Sequence, residues 1–317
     1  MDISYMPCLR YEDEGTSDIQ NRGHDRTRDG VCRMTIDWNE VWHTTMERHL
    51  ASKHIGKDDL YWSSRERVEQ FNERIKKNDW AKGRRIMQSM DISSESRVLD
   101  IGAGPGTLVI PLSRVVSHVT AIEPAPYMIE FLQGNIADEN VENVDYIQKT
   151  WEEVDTDADL EGSYDVVIAS YSLGMYDIRS ALKKMVDIST GYVYLLWFSG
   201  LTSWDELYLK AWPRVHGNEY VPGPKVNLLY NVLYDLGIYP NMEVTKMEME
   251  MTYGSVGEAV DDLADRFVAR DEASRSRLST FLAEVMRKTE GSYVLDVYQW
   301  STMLWWHRDN IGGCGIH

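Results

Sequence analysis

Between residues 97 and 198 the chain alternates short apolar runs with segments of helical period. The stretches Arg97–Ile101, His118–Glu123, Asp145–Gln148, Tyr164–Ser170 and Tyr192–Phe198 predict five strands. The unbroken Val166-Val167-Ile168 run suits a strand covered on both faces. Helices are predicted over Pro126–Ala137 and Ile178–Ile188. Strands and helices in this order predict a parallel sheet with right-handed crossovers.

The pattern differs on either side. Trp38, Val41, Trp42, Thr45, Met46 and His49 follow i, i+3, i+4, i+7 spacing and predict a helix. Ser63-Ser64-Arg65-Glu66 reads as a capping box, followed by Val68, Phe71 and Ile75 on one helical face. A further helical piece runs from Trp80 to Met90. Beyond residue 198, Ser203-Trp204-Asp205-Glu206 opens another helix, and Val221-Pro222-Gly223-Pro224 separates it from helix Lys225–Leu236. Met242–Tyr253 alternates methionine with charged residues, as a half-exposed strand does. Ser255-Val256-Gly257-Glu258 is another capping box, and Tyr293–Trp306 is the last strand-like stretch. Residues 1–33 are polar and aperiodic, which predicts a disordered tail, and the pattern that starts after Met34 makes Met34 an alternative initiator. Residues 307–317, with Gly312-Gly313-Cys314-Gly315, read as a flexible tail.

The net charge of −18 argues against a nucleic-acid partner, because phosphate contacts need lysine and arginine. Lys76, Lys77, Lys82, Arg84 and Arg85 form the one candidate basic face, which also reads as a solvated helix surface. No stretch is apolar and long enough to span a membrane, and no secretory signal is visible. Cys8, Cys32 and Cys314 are scattered, which suits a reducing cytoplasm better than a disulfide framework. No C-x-x-C pair or other spacing defines a metal site.

The densest chemical signal is Val98-Leu99-Asp100-Ile101-Gly102-Ala103-Gly104-Pro105-Gly106-Thr107. It reads as a buried strand, a glycine turn and a helix start, with Thr107 placed to cap that helix. Such a junction offers exposed N–H groups to a nucleotide-like ligand. About twenty residues on, a second strand ends in Glu123, positioned to accept hydrogen bonds from ribose hydroxyls. The spacing is D-x-G-x-G-x-G, where a dinucleotide fingerprint would read G-x-G-x-x-G. VLDIGAGPGT followed by AIEP resembles the class I S-adenosylmethionine-dependent methyltransferases.

That resemblance implies an α/β fold: a Rossmann-like, mostly parallel seven-stranded sheet with an antiparallel last strand, helices on both faces and an N-terminal helical cap. It divides the chain into a helical segment at 34–92 that caps the cofactor and a methyltransferase domain at 93–306, with a substrate-side insertion at 202–241. S-adenosylmethionine would lie over Gly102, Ala103, Gly104 and Gly106, with Asp100 orienting the loop or reaching the cofactor's amino group. Glu123 would hold the ribose, while Pro124, Tyr127, Thr150 and Trp151 would border the adenine. Ser170, Tyr171 and Ser172 end the strand that faces the sulfonium and the acceptor. Tyr171 and Ser172 would orient that acceptor, and His216 is the one candidate base in the region. Trp38, Trp42, Tyr61 and Trp62 read equally as cofactor cover or as packing, and Trp151 as adenine contact or packing; Trp197 and Trp212 read as core and Asp177 as a helix cap. No N-P-P-Y-type motif follows the fourth strand, which disfavours a base nitrogen as acceptor and leaves a small molecule or a protein side chain. Two other readings stay open: an NAD(P)-dependent oxidoreductase, and a regulatory protein that binds the cofactor without turnover.

Overall fold

The computed structural model describes residues 36–53, 62 and 64–312. Expectations for the N-terminal tail, Met34, Tyr61, Ser63, the three cysteines and residues 313–317 fall outside that range. Three helices open the described chain: α1 (Trp38–Ser52), α2 (Arg65–Lys77) and α3 (Ala81–Met87). The alternating region supplies β1 (Arg97–Ile101), α4 (Val109–Ser113), β2 (His118–Ile122), α5 (Pro126–Asp138), β3 (Val144–Ile147), β4 (Tyr164–Ser170), α6 (Ile178–Ile188) and β5 (Ser189–Phe198). The C-terminal part adds α7 (Ser203–Val215), α8 (Val226–Asp235), β6 (Asn241–Tyr253), α9 (Val256–Leu263), α10 (Glu272–Val285), β7 (Arg287–Thr289) and β8 (Ser292–His307).

One sheet orders these strands β3-β2-β1-β4-β5-β8-β6, with β7 pairing β8 off the main path. Strands β1 to β5 pair in parallel, and β8 runs antiparallel between β5 and β6. The sheet thus has eight strands where seven were expected, the extra one being the three-residue β7. The antiparallel β8 rules out the second parallel half that an NAD-binding domain would carry.

Period-two packing on both faces explains the apolar runs. Leu99, Ile101, Val167, Ala169, Val193 and Leu195 join one buried cluster, together with Trp42 and Met46 of α1 and residues of α6 and α8. Their neighbours Val98, Val119, Ala121, Val166, Ile168, Tyr194 and Leu196 join a second, beneath α4 and α5. A third cluster gathers Tyr208, Trp212, Phe267, Phe281 and Leu295 around α7, α9 and α10.

Capping differs from expectation in three places. Thr107 caps nothing: the turn continues to Leu108 and α4 begins at Val109 with no side-chain cap. Ser64 caps α2 by accepting from the Arg67 N–H. Thr202, one residue before the predicted start, forms a reciprocal box with Asp205 at the head of α7. Asp177 caps α6, accepting from the Ser180 N–H at 3.0 Å. Among the described residues no helix is long and apolar enough to cross a membrane.

Candidate active site

The carboxyl ends of β1, β2 and β4 open into one cavity of about 450 Å³, within the range of small-molecule sites. Asp100, Gly102, Ala103, Gly104, Glu123, Pro124, Thr150, Trp151, Ser170, Tyr171 and Ser172 all line it. The glycine turn gives the floor its shape, and its glycines serve different ends. Gly102 has φ +74°, and a Cβ there would sit 2.2 Å from the Ser172 Cβ, so the end of β4 can close onto the turn only beside glycine. Gly104 has φ +58° and faces open space, its virtual Cβ meeting nothing nearer than the Met128 sulfur at 3.8 Å. Gly106 is not part of the lining; its virtual Cβ would meet Leu132 at 2.8 Å, so it seats the turn against α5.

Glu123 is buried and organises the turn. One carboxylate oxygen accepts from the Gly104 N–H at 2.9 Å and the other from the Ala125 N–H at 2.8 Å. Burial raises its pKa, and those two amides work against the rise. Asp100 lies at the end of β1 with its Oδ1 buried and without a hydrogen-bond partner. Burial, and then the Glu123 charge, push its carboxyl up to about 7. An orphaned buried acceptor beside an open turn matches a cationic amino group on a ligand.

Asp100 also sets a pH dependence. The folded chain holds a proton that the unfolded chain releases above the ordinary value of 3.8, so this group's stabilising contribution is lost as pH rises toward about 7. A cationic ligand favours the ionised carboxyl. Affinity for a ligand that carries a cationic amino group is therefore expected to rise as pH passes upward through about 7, and Asp100→Asn to flatten that profile in calorimetric titrations. An unchanged slope in the variant would assign the dependence to another group.

The acceptor-side residues are less open than their types suggest. The Tyr171 hydroxyl donates to Ser301 Oγ at 2.6 Å and accepts from Gln299 Nε2 at 3.4 Å. Its backbone has φ +57°, an unusual conformation for tyrosine at a strand end. Ser172 Oγ donates to the Ile101 carbonyl. Both residues shape the wall while their hydroxyls serve the fold. His216 is not brought to the site: its Nε2 bonds the Phe267 carbonyl at 2.8 Å and its ring lies against Trp212, in the third cluster. A lone histidine near apolar residues gives no sequence signal to separate these roles.

The adenine-side candidates divide similarly. Trp151 Nε1 donates to the Ala181 carbonyl at 3.1 Å, which anchors the indole in the core while it still borders the cavity. Thr150 Oγ1 donates to Glu153 at 2.9 Å. Tyr127 does not line the cavity; Met128, one residue on, does. Trp197 borders the cavity and donates to the Pro224 carbonyl at 2.9 Å, whereas Trp212 is core. No residue of the 202–241 segment reaches the lining; that segment backs Trp197 instead.

Of the aromatic residues that read equally as cover or packing, Trp62 lines the cavity, whereas sequence reasoning missed Phe71 of α2 and Lys82 and Ile86 of α3, which line it too. The i, i+4 face of α2 was legible, but not the direction it points. Trp42, by contrast, packs beneath the sheet and donates from Nε1 to the Met175 carbonyl at 2.8 Å.

A parallel sheet with an antiparallel β8, a glycine turn after β1 and a carboxylate ending β2 define the class I S-adenosylmethionine-dependent methyltransferases. Residues 98–189 match the family described as a methyltransferase domain, and the chain is a methyltransferase with S-adenosylmethionine as its cofactor. An uncharacterized protein of Haemophilus influenzae is 26% identical over 268 residues, which cover 84% of this chain and 96% of that protein. The uncharacterized methyltransferase YcgJ of Bacillus subtilis is 27% identical over 104 residues, 32% of this chain and 40% of its own. A probable ribosomal RNA small subunit methyltransferase A of Methanothermobacter thermautotrophicus is 35% identical over 95 residues, and only 34% of its length is matched. Among solved structures, a putative methyltransferase from Bacillus halodurans shares the fold, with a TM-score of 0.51 and 15% identity over 73% of this chain and 99% of that one.

Proposed function

We propose that the cavity seats S-adenosylmethionine and presents its methyl group to a small-molecule or protein side-chain acceptor. The observation that carries this reading is the convergence of the Asp100 orphan oxygen, the amide-gripped Glu123 and the open Gly104 backbone on one cavity. Asp100 would take the cofactor's amino group and Glu123 its ribose hydroxyls. Gly102, Ala103 and Gly104 would pass under the methionine and ribose, and Pro124, Thr150 and Trp151 would border the adenine. Helices α2 and α3, with Trp62, would cap the cofactor and exclude water.

When bound, the cofactor supplies an already activated methyl group. The chain's contribution is then to hold the acceptor in line with it, and positioning of this kind supplies ~7–11 kcal/mol in favourable cases. This agrees with the absence of a free hydroxyl or histidine base among Tyr171, Ser172 and His216.

The identity of the acceptor is argued from charge. Lys76 and Arg84 of the basic cluster pair with Asp138 at 2.7 Å and Asp79 at 2.8 Å, which reduces the free positive charge of that face. With a net charge of −18 this favours a small molecule or side chain over RNA, although relatives named as ribosomal RNA methyltransferases exist. Incubation of a cell extract with the protein and methyl-labelled cofactor tests the reading. Label is expected in the small-molecule or protein fraction and not in nucleic acid. Label confined to RNA would overturn the acceptor assignment, and no transfer at all would favour a regulatory role.

A further inference from the structure

Lys82 was grouped with a solvated basic face, and the structure separates it from that group. Lys76 and Arg84 on either side are paired with carboxylates, and Lys82 is turned into the cavity instead. Its Nζ lies 4.5 Å from the centre of the Tyr171 ring, at the sulfonium-facing end of β4. The residue is accessible, and the surface it shows includes the cavity wall. Dense surrounding protein lowers its pKa, and no neighbouring carboxylate offsets that effect. Asp100, Glu123 and Glu152 line the same cavity, yet among the described residues none forms an ion pair with Lys82. Helix α3 sets the lysine backbone beside the cavity. A Cβ on the adjacent Gly83 would lie 1.9 Å from the Thr107 carbonyl oxygen, so the helix backbone rests directly on the glycine turn.

A lysine on the cavity wall with no carboxylate partner is placed to receive an anion that the ligand brings. We propose that Lys82 is the anion-binding residue of the cavity, taking a carboxylate group of the molecule bound there. The proposal rests on the reading of the cavity as the cofactor and acceptor site. Two sources carry the required chemistry: the amino-acid carboxylate of the cofactor and an acidic group on the acceptor. The charges then divide along the cavity, with Asp100 facing the ligand's amino group and Lys82 facing its carboxylate.

Calorimetric titration of the wild type, Lys82→Met and Lys82→Arg distinguishes the sources. The probes are S-adenosylhomocysteine, 5′-methylthioadenosine, which lacks the amino-acid part, and benzoate added to protein saturated with S-adenosylhomocysteine. A loss of tenfold or more for S-adenosylhomocysteine in Lys82→Met, with methylthioadenosine unchanged and Lys82→Arg near wild type, assigns the cofactor's carboxylate. Unchanged S-adenosylhomocysteine binding, with benzoate binding to the wild type and not to Lys82→Met, assigns an acidic acceptor. Equal loss of both nucleosides, or no change with any probe, overturns the proposal. Failure of the wild type to bind either nucleoside would instead overturn the reading of the cavity itself, independently of Lys82.

Discussion

Glu123→Ala is expected to weaken S-adenosylhomocysteine binding by about 100-fold while the chain stays folded. The carboxylate would accept from the ribose hydroxyls, and hydrogen bonds to a charged group contribute roughly 1.5–3 kcal/mol each. A total near 3 kcal/mol corresponds to about two decades of affinity. The same substitution releases the Gly104 and Ala125 amides that Glu123 now holds at 2.9 and 2.8 Å, so the turn loses its brace as well as its ribose partner. Titration calorimetry beside a thermal melt reads both quantities. Affinity within a few-fold of wild type would mean that the sugar lies elsewhere.

Trp42→Ala is expected to cost about 4 kcal/mol of stability, the range for removing a fully buried tryptophan. Trp42 is 0% exposed, fills the space between α1 and the sheet, and contacts the Trp197 ring at 6.0 Å between centroids. Its indole N–H also fixes the carbonyl of Met175, which lines the cavity. Cofactor affinity should therefore fall with stability, although Trp42 does not itself line the cavity. Denaturant unfolding with a linear extrapolation measures the first effect. A loss below about 1 kcal/mol would show that α1 is not integral to the core.

The parts of the fold that were legible in the chain share a physical reason. Strands β1 and β4 sit between two covered faces, so their sequences are continuous apolar runs with sharp ends. The glycine turn was legible because positive φ angles and close approaches restrict those positions to one residue type. The long C-terminal strand was legible as a pattern and its antiparallel direction came from the family resemblance, but the three-residue β7 is too short to show a period. What stayed hidden depends on long-range packing. Nothing local tells that Lys82 faces the cavity while Lys76 and Arg84 face carboxylates, since all three read as surface charge. Likewise, the hydroxyls of Tyr171 and Ser172 are occupied by Ser301 and Ile101, partners that only the fold brings near. His216 is held by the Phe267 carbonyl at 2.8 Å, a partner that the packing of the third cluster brings to it.

The most direct test is a crystal structure with S-adenosylhomocysteine bound. The account predicts the ribose hydroxyls on Glu123, the amino group within hydrogen-bond reach of Asp100, and the sulfur over the end of β4 beside Ser170 and Tyr171. A ligand seated away from the glycine turn, or a turn occupied by protein side chains with the nucleoside excluded, would contradict it.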